Sequence, residues 1–113
     1  MWLFRSIGIM EHSSISVTDH ALVRYAQRIL GLDLPLMGDS ELVDYLRERF
    51  GIDPGALRDT LRSLCDPKVM VCLGSGRFLT QDLSGRRLRL VFRGMTVVTV
   101  IGERSYEANH HVR

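Results

Sequence analysis

The 113-residue sequence has only two cysteines and three prolines, one lysine against fourteen arginines, and no long hydrophobic run. Each shortage excludes something. Cys65 and Cys72 stand seven apart without a CxxC pairing, which is too little for a secreted disulfide scaffold, so both are expected to be reduced thiols. A zinc site would have to join them to His110 and His111, a spacing that fits no zinc pattern, and no metal is expected. The first ten residues are apolar but interrupted by Arg5, Ser6 and Gly8. They are too short to span a bilayer and lack the basic start and small-residue cleavage site of a signal peptide. The expected location is therefore cytoplasmic, with no membrane partner. Met10 offers a second start. Gly74, Ser75 and Gly76 lack the Lys-Ser/Thr ending of a phosphate loop and open no helix. No Ser/His/Asp arrangement or paired-carboxylate motif stands out, and no cofactor is expected.

What the sequence does contain is ordinary globular material, 45% apolar and 25% charged, at the usual length of one domain. The division expected is an N-terminal arm over 1–14, a single domain over 15–101 and a polar tail over 102–113. Charge is uneven beneath a formal net of +2. Residues 39–66 hold seven acids and four arginines, a net of −3, whereas 68–93 hold Lys68 and five arginines against Asp82 alone, a net of +5. The preference for arginine fits the codon bias of a GC-rich genome, and it also fits bidentate phosphate recognition.

The period of the apolar pattern changes near Pro67. Before it, Ile15, Ser16 and Val17 alternate like a short edge strand, and three helical stretches follow. Thr18 and Asp19 signal an N-cap. Leu22, Tyr25, Ala26 and Ile29 share one face of a helix over 19–30, and Gly31 ends it. Asp39 or Ser40 caps a second helix to Phe50, with Leu42, Leu46 and Phe50 inward. Asp53 and Pro54 open a third, with Pro at the first helical position, and Leu57, Leu61, Leu64 and Cys65 inward; Asp66 and Pro67 stop it. After Pro67 the period is two, and strands are expected over 69–73, 77–81, 86–93 and 96–101, joined by glycine-containing turns. The fold class expected is α+β: three N-terminal helices packed on one face of a four-stranded antiparallel sheet. Its core should include Leu22, Leu46, Leu57, Leu61, Leu90 and Val98.

Two polar sets remain. His20, Arg24, Gln27 and Arg28 lie opposite the apolar stripe of the first helix. That is the pattern of a solvated face. It is also a cationic row with a histidine suited to general acid–base work on a phosphodiester. Arg87, Arg89 and Arg93 share the open side of one strand, with Arg77 and Arg86 nearby. Strand arginines of this kind guard against edge association, and clustered they suit a polyanion. Phe78 offers one ring for base stacking. Thr96 and Thr99 suit the strand, whereas His12, His110 and His111 have no interpretable setting.

The run from Val17 to Arg28, with His20, Ala21, Arg24 and Arg28 spaced as His-Ala-x-x-Arg-x-x-x-Arg, together with Val97, Val98, Thr99 and Val100, resembles small, mostly uncharacterised phage and bacterial proteins. These in turn resemble the barnase/colicin/RelE-type ribonuclease superfamily. The resemblance spans about residues 15–101. It implies a toxin-like α+β fold, a phage or prophage origin and metal-independent RNA cleavage, with His20, Arg24, Arg28 and Thr99 at the catalytic positions. The arginines at 77, 86, 87, 89 and 93 would then bind RNA. The acidic stretch through the second and third helices departs from the shortest members. It favours the alternative, a non-enzymatic phage protein that binds and inhibits a host protein. A homodimer is a third expectation.

Overall fold

The computed structural model describes residues 14–102. All of the arm but Ser14, most of the tail, the second start and His12, Tyr106, His110 and His111 lie outside the described residues. Among those described, the order is β1 (Ser16–Val17), α1 (Asp19–Arg28), α2 (Asp39–Phe50), α3 (Pro54–Ser63), α4 (Pro67–Leu73), β2 (Ser75–Gln81), β3 (Arg87–Arg93) and β4 (Thr96–Gly102). The fold is α+β, and no helix described is long and apolar enough to cross a membrane.

Local signals placed the first three helices. The Thr18 hydroxyl accepts from the Ala21 amide at 3.0 Å and starts α1. Gly31 and Gly51 carry φ of 73° and 67°. In that left-handed conformation the chain turns back, so that Leu32 N–H reaches Ala26 O and Ile52 N–H reaches Leu46 O, closing the two helix ends. Asp53 accepts from the Gly55 amide, with Pro54 at the first helical position. At α2 the cap differs from expectation. Gly38 occupies the N-cap, its amide donating to Glu41 Oε1 at 3.0 Å, and the Asp39 side chain is left for another partner.

The expected strand over 69–73 is a fourth helix. Asp66 and Pro67 do stop α3, but they also start α4. The Asp66 carboxylate accepts from the Lys68 amide at 3.0 Å with Pro67 at the first helical position, the same device as Asp53–Pro54. A run of five apolar residues carries too few turns for its period to separate helix from strand, and only Met70 of it is buried.

The sheet is consequently mixed rather than purely antiparallel. Its order is β1-β4-β3-β2. β2, β3 and β4 are antiparallel neighbours, and the fourth place is filled by β1, parallel to β4 through Ser16–Thr96 and Val17–Val97. α1 packs against β4, α3 against β1 and α4 against β2, while α2 packs on α1 and α3. Leu88, Leu90 and Phe92 of β3 face this helical layer and are buried.

Of the expected core, Leu22, Leu46, Leu61 and Leu90 are fully buried, and Leu57 is partly buried against the cluster. Val98 is only half-buried. A register shift between Val91 and Phe92 leaves Val98 as the extra residue of a β-bulge, so Val97 and Val100 point inward in its place. Phe50 is 43% exposed and stands edge-on to Tyr45, while Val43 takes the inward position.

Both cysteines are free thiols. Burial, expected for both, holds for Cys65, whose thiol it pushes up to about 11, whereas Cys72, expected inside a strand, is exposed on α4. Iodoacetamide at about pH 8 should therefore add one group to the native protein, at Cys72, and a second only after denaturation, because the thiolate is the nucleophile. Peptide mass mapping that finds Cys65 modified as fast as Cys72 would contradict this placement.

Candidate nucleic-acid interface

The face of the sheet turned away from the helices follows from strand parity. Residues alternate between faces, and Leu88, Leu90 and Phe92 are inward, so Arg87, Arg89, Val91 and Arg93 are outward. The register sets Ser75 beside Arg93, Arg77 beside Val91, Leu79 beside Arg89 and Gln81 beside Arg87. On the other side Thr96, Thr99 and Ile101 lie beside Arg93, Val91 and Arg89. The outward face thus presents four arginines, and none of its strand positions is acidic. Among the described residues no carboxylate forms an ion pair with Arg77, Arg87 or Arg93. These three are exposed, and Arg89 is half-buried.

Arg86 does not join them. It lies at the end of the β2–β3 turn, with Nε 3.6 Å from Asp82 Oδ2 and its terminal nitrogens donating to Ile29 O and Ser84 Oγ. Phe78 is not available as a stacking platform on that face. It stacks on Phe92 with ring centroids 4.9 Å apart, on the inward side.

The helical set occupies a different part of the molecule. The His20 ring lies with Nδ1 3.1 Å from Asp39 Oδ2, and Arg24 Nε donates to His20 Nε2 at 3.4 Å. That donation makes Nε2 the acceptor, so Nδ1 carries the proton and donates to Asp39. Arg24 also donates to Gln27 Oε1 at 2.9 Å. The carboxylate–imidazole pair orients the ring as a general base requires, and the Arg24 guanidinium covers the working nitrogen.

Arg28 has a structural task. Its guanidinium donates to Val100 O at 2.8 Å, and burial together with the neighbouring Arg24 holds it below its ordinary value. Thr99 is on the outward sheet face beside Val91, opposite to the face on which α1 packs. The structure therefore brings His20 and Arg24 together, uses Arg28 to satisfy a strand carbonyl and places Thr99 among the arginines. Asp39, the partner of His20, went unread because its position suited a helix cap.

A second polar centre also lacked a sequence signal. Asp82, 8% exposed, is the one buried charged residue among the described residues. Its Oδ2 accepts from the Tyr25 hydroxyl at 3.1 Å, and its Oδ1 accepts from the amides of Ser84 and Arg86 at 3.0 and 2.9 Å. Burial first, then the charge and hydrogen bond of Asp82, push Tyr25 from 10 up to about 12. In the unfolded chain this tyrosine ionises near its ordinary value. The stability this tyrosine contributes is therefore present in full below about pH 10 and lost as pH rises toward 12. The slope of unfolding free energy with pH in that window should be shallower in Tyr25→Phe, as urea titrations at a series of alkaline pH values would show.

Among the described residues no group of three His, Cys, Asp or Glu side chains is placed to hold a metal ion. No family model, characterised relative or solved structure matches the chain.

Proposed function

We propose that this protein binds RNA through the outward face of its sheet. One observation carries the reading: Arg77, Arg87, Arg89 and Arg93 share a face with no acidic strand position. Guanidinium groups suit phosphate oxygens bidentately, and a face whose described strand positions hold arginines and no acid favours a polyanion. Thr96 and Thr99 add hydroxyl groups to the same face. The reading is of binding rather than cleavage, since no strand position on that face supplies a general base, and His20 with Asp39 lies on the helical side. The toxin-like resemblance supports RNA as the polyanion.

The rival reading, a host-protein inhibitor working through the acidic stretch, has less support. Of its seven acids, Asp44 pairs with Arg47 and Asp59 with Arg62, and Asp39 is turned to His20, while Arg58 is spent on Asp19 outside the stretch.

Filter binding with single-stranded RNA tests the proposal. With about four phosphates engaged, log affinity should fall with log salt at a slope of about −3. Arg77→Ala, Arg87→Ala and Arg93→Ala combined should bring that slope to about −1 and weaken binding at least about tenfold at low salt. Absence of binding at low salt, or binding unaffected by the triple substitution, would end the proposal. His20→Ala should leave binding intact.

A further inference from the structure

The two edges of the sheet are treated differently. On the β1 side, outward carbonyls are met by side chains. Arg62 Nε donates to Ile15 O at 2.8 Å and Arg58 Nε to Val17 O at 3.3 Å. Where β1 ends and β4 runs on alone, the Thr18 hydroxyl donates to Val98 O at 3.2 Å and Arg28 to Val100 O at 2.8 Å. Four carbonyls along this edge are thus closed. On the other edge, β2 runs for seven residues with Arg77 as its one charged side chain and no proline, and no side chain among the described residues bonds to its backbone.

The hydrogen bonds at the ends of the β2–β3 pair show which groups are open. Asp82 N–H donates to Arg86 O, and Gly94 N–H to Gly74 O. Even-numbered residues of β2 therefore turn their backbone polar groups toward β3. Ser75, Arg77, Leu79 and Gln81 turn theirs outward. The flank is apolar as well: Leu79 is 58% exposed, and Val71 and Leu73 of the adjoining α4 are 53% and 61% exposed.

The geometry points to a second copy of this chain as the occupant of that edge, its β2 antiparallel to the first about a two-fold axis at Phe78. The strand is complementary to itself in this register. Arg77 meets Leu79 and Ser75 meets Gln81 as hydrogen-bonded pairs, so every outward N–H and C=O of the four residues finds a partner. A two-fold axis at Arg77 would set Arg77 against Arg77, a repulsive pair. One at Leu79 would leave Ser75 without a partner inside the strand. The paired sheets would carry their arginine faces side by side as one continuous surface. The pairing itself does not depend on RNA, so the two proposals can fail separately.

Sedimentation equilibrium of the full chain without RNA should give twice the monomer mass of 12.9 kDa. Hydrogen exchange should show the amides of Arg77, Leu79 and Gln81 protected along with those of Phe78 and Thr80. Leu79→Pro removes an N–H that points away from β3, so it should leave the fold intact and weaken self-association at least about tenfold. Leu79→Lys, which keeps the N–H and adds a charge to the edge, should act in the same direction should the proline variant fail to fold. A single-chain mass at every concentration overturns the inference. So does a dimer in which the Arg77 and Leu79 amides exchange freely, or one that folded Leu79 variants leave unchanged.

Discussion

Replacing Asp82 with alanine is expected to cost about 3–5 kcal/mol, because one buried hydroxyl and two turn amides lose their acceptor. The carboxylate holds the β2–β3 turn closed through the Ser84 and Arg86 amides and ties that turn to α1 through the Tyr25 hydroxyl. In Asp82→Ala the Tyr25 hydroxyl is buried without its acceptor, and two turn amides lose theirs, each such group costing about 1–3 kcal/mol when kept from water. Water reaching the turn amides keeps the total below the sum. Asp82→Asn provides the comparison. Its amide oxygen still accepts from Ser84 and Arg86, and its nitrogen can donate to the Tyr25 oxygen, so the expected loss is about 1–2 kcal/mol. Urea unfolding of the three proteins at neutral pH orders them. A loss for Asp82→Ala smaller than that for Asp82→Asn would show that the carboxylate is not the tie between turn and helix.

Leu61→Ala should cost about 3–4 kcal/mol. Leu61 is 0% exposed, on the inward side of α3 where that helix meets α1 and β1. Truncation removes the buried methyl groups and leaves a cavity that the surrounding helices and strand close only in part, for which the usual range is about 2–5 kcal/mol. Leu57, one turn earlier on the same helix, is only partly buried, and Leu57→Ala should cost about half as much. The pair shares a helix and a substitution, so the effect on helix propensity cancels and the difference reports burial alone. A loss under about 1 kcal/mol for Leu61→Ala in urea unfolding would contradict its position in the core.

The candidate site divides by the same physics. The outward arginines of β3 were legible because side-chain parity is a property of consecutive residues, and Leu88, Leu90 and Phe92 marked the opposite face without ambiguity. Arg77 joined them through the pairing of β2 with β3. The helical residues were legible as a row but not in their roles. Nothing local to Arg28 shows that its guanidinium is spent on Val100 O. Nothing local to Asp39 shows that its carboxylate turns to His20. Phe78 read as an available ring because its partner, Phe92, lies on the next strand.

Unaided, the sequence determined the helix ends at Gly31 and Gly51, the start at Thr18, the Asp53–Pro54 cap, and the alternation of β2 and β3, because each is written in residues a few positions apart. Only the tertiary structure decided that β1 completes the sheet beside β4 and that Val98 leaves the core at a bulge. These features join residues far apart in sequence: β1 pairs with β4, and Thr18 bonds to Val98, 80 residues on. A short apolar run satisfies helix and strand equally by itself. In 67–73 the local Asp66–Pro67 start favours the helix, whereas which strand fills the edge of the sheet and which residue bulges depend on backbone groups and apolar faces left open by residues far away along the chain.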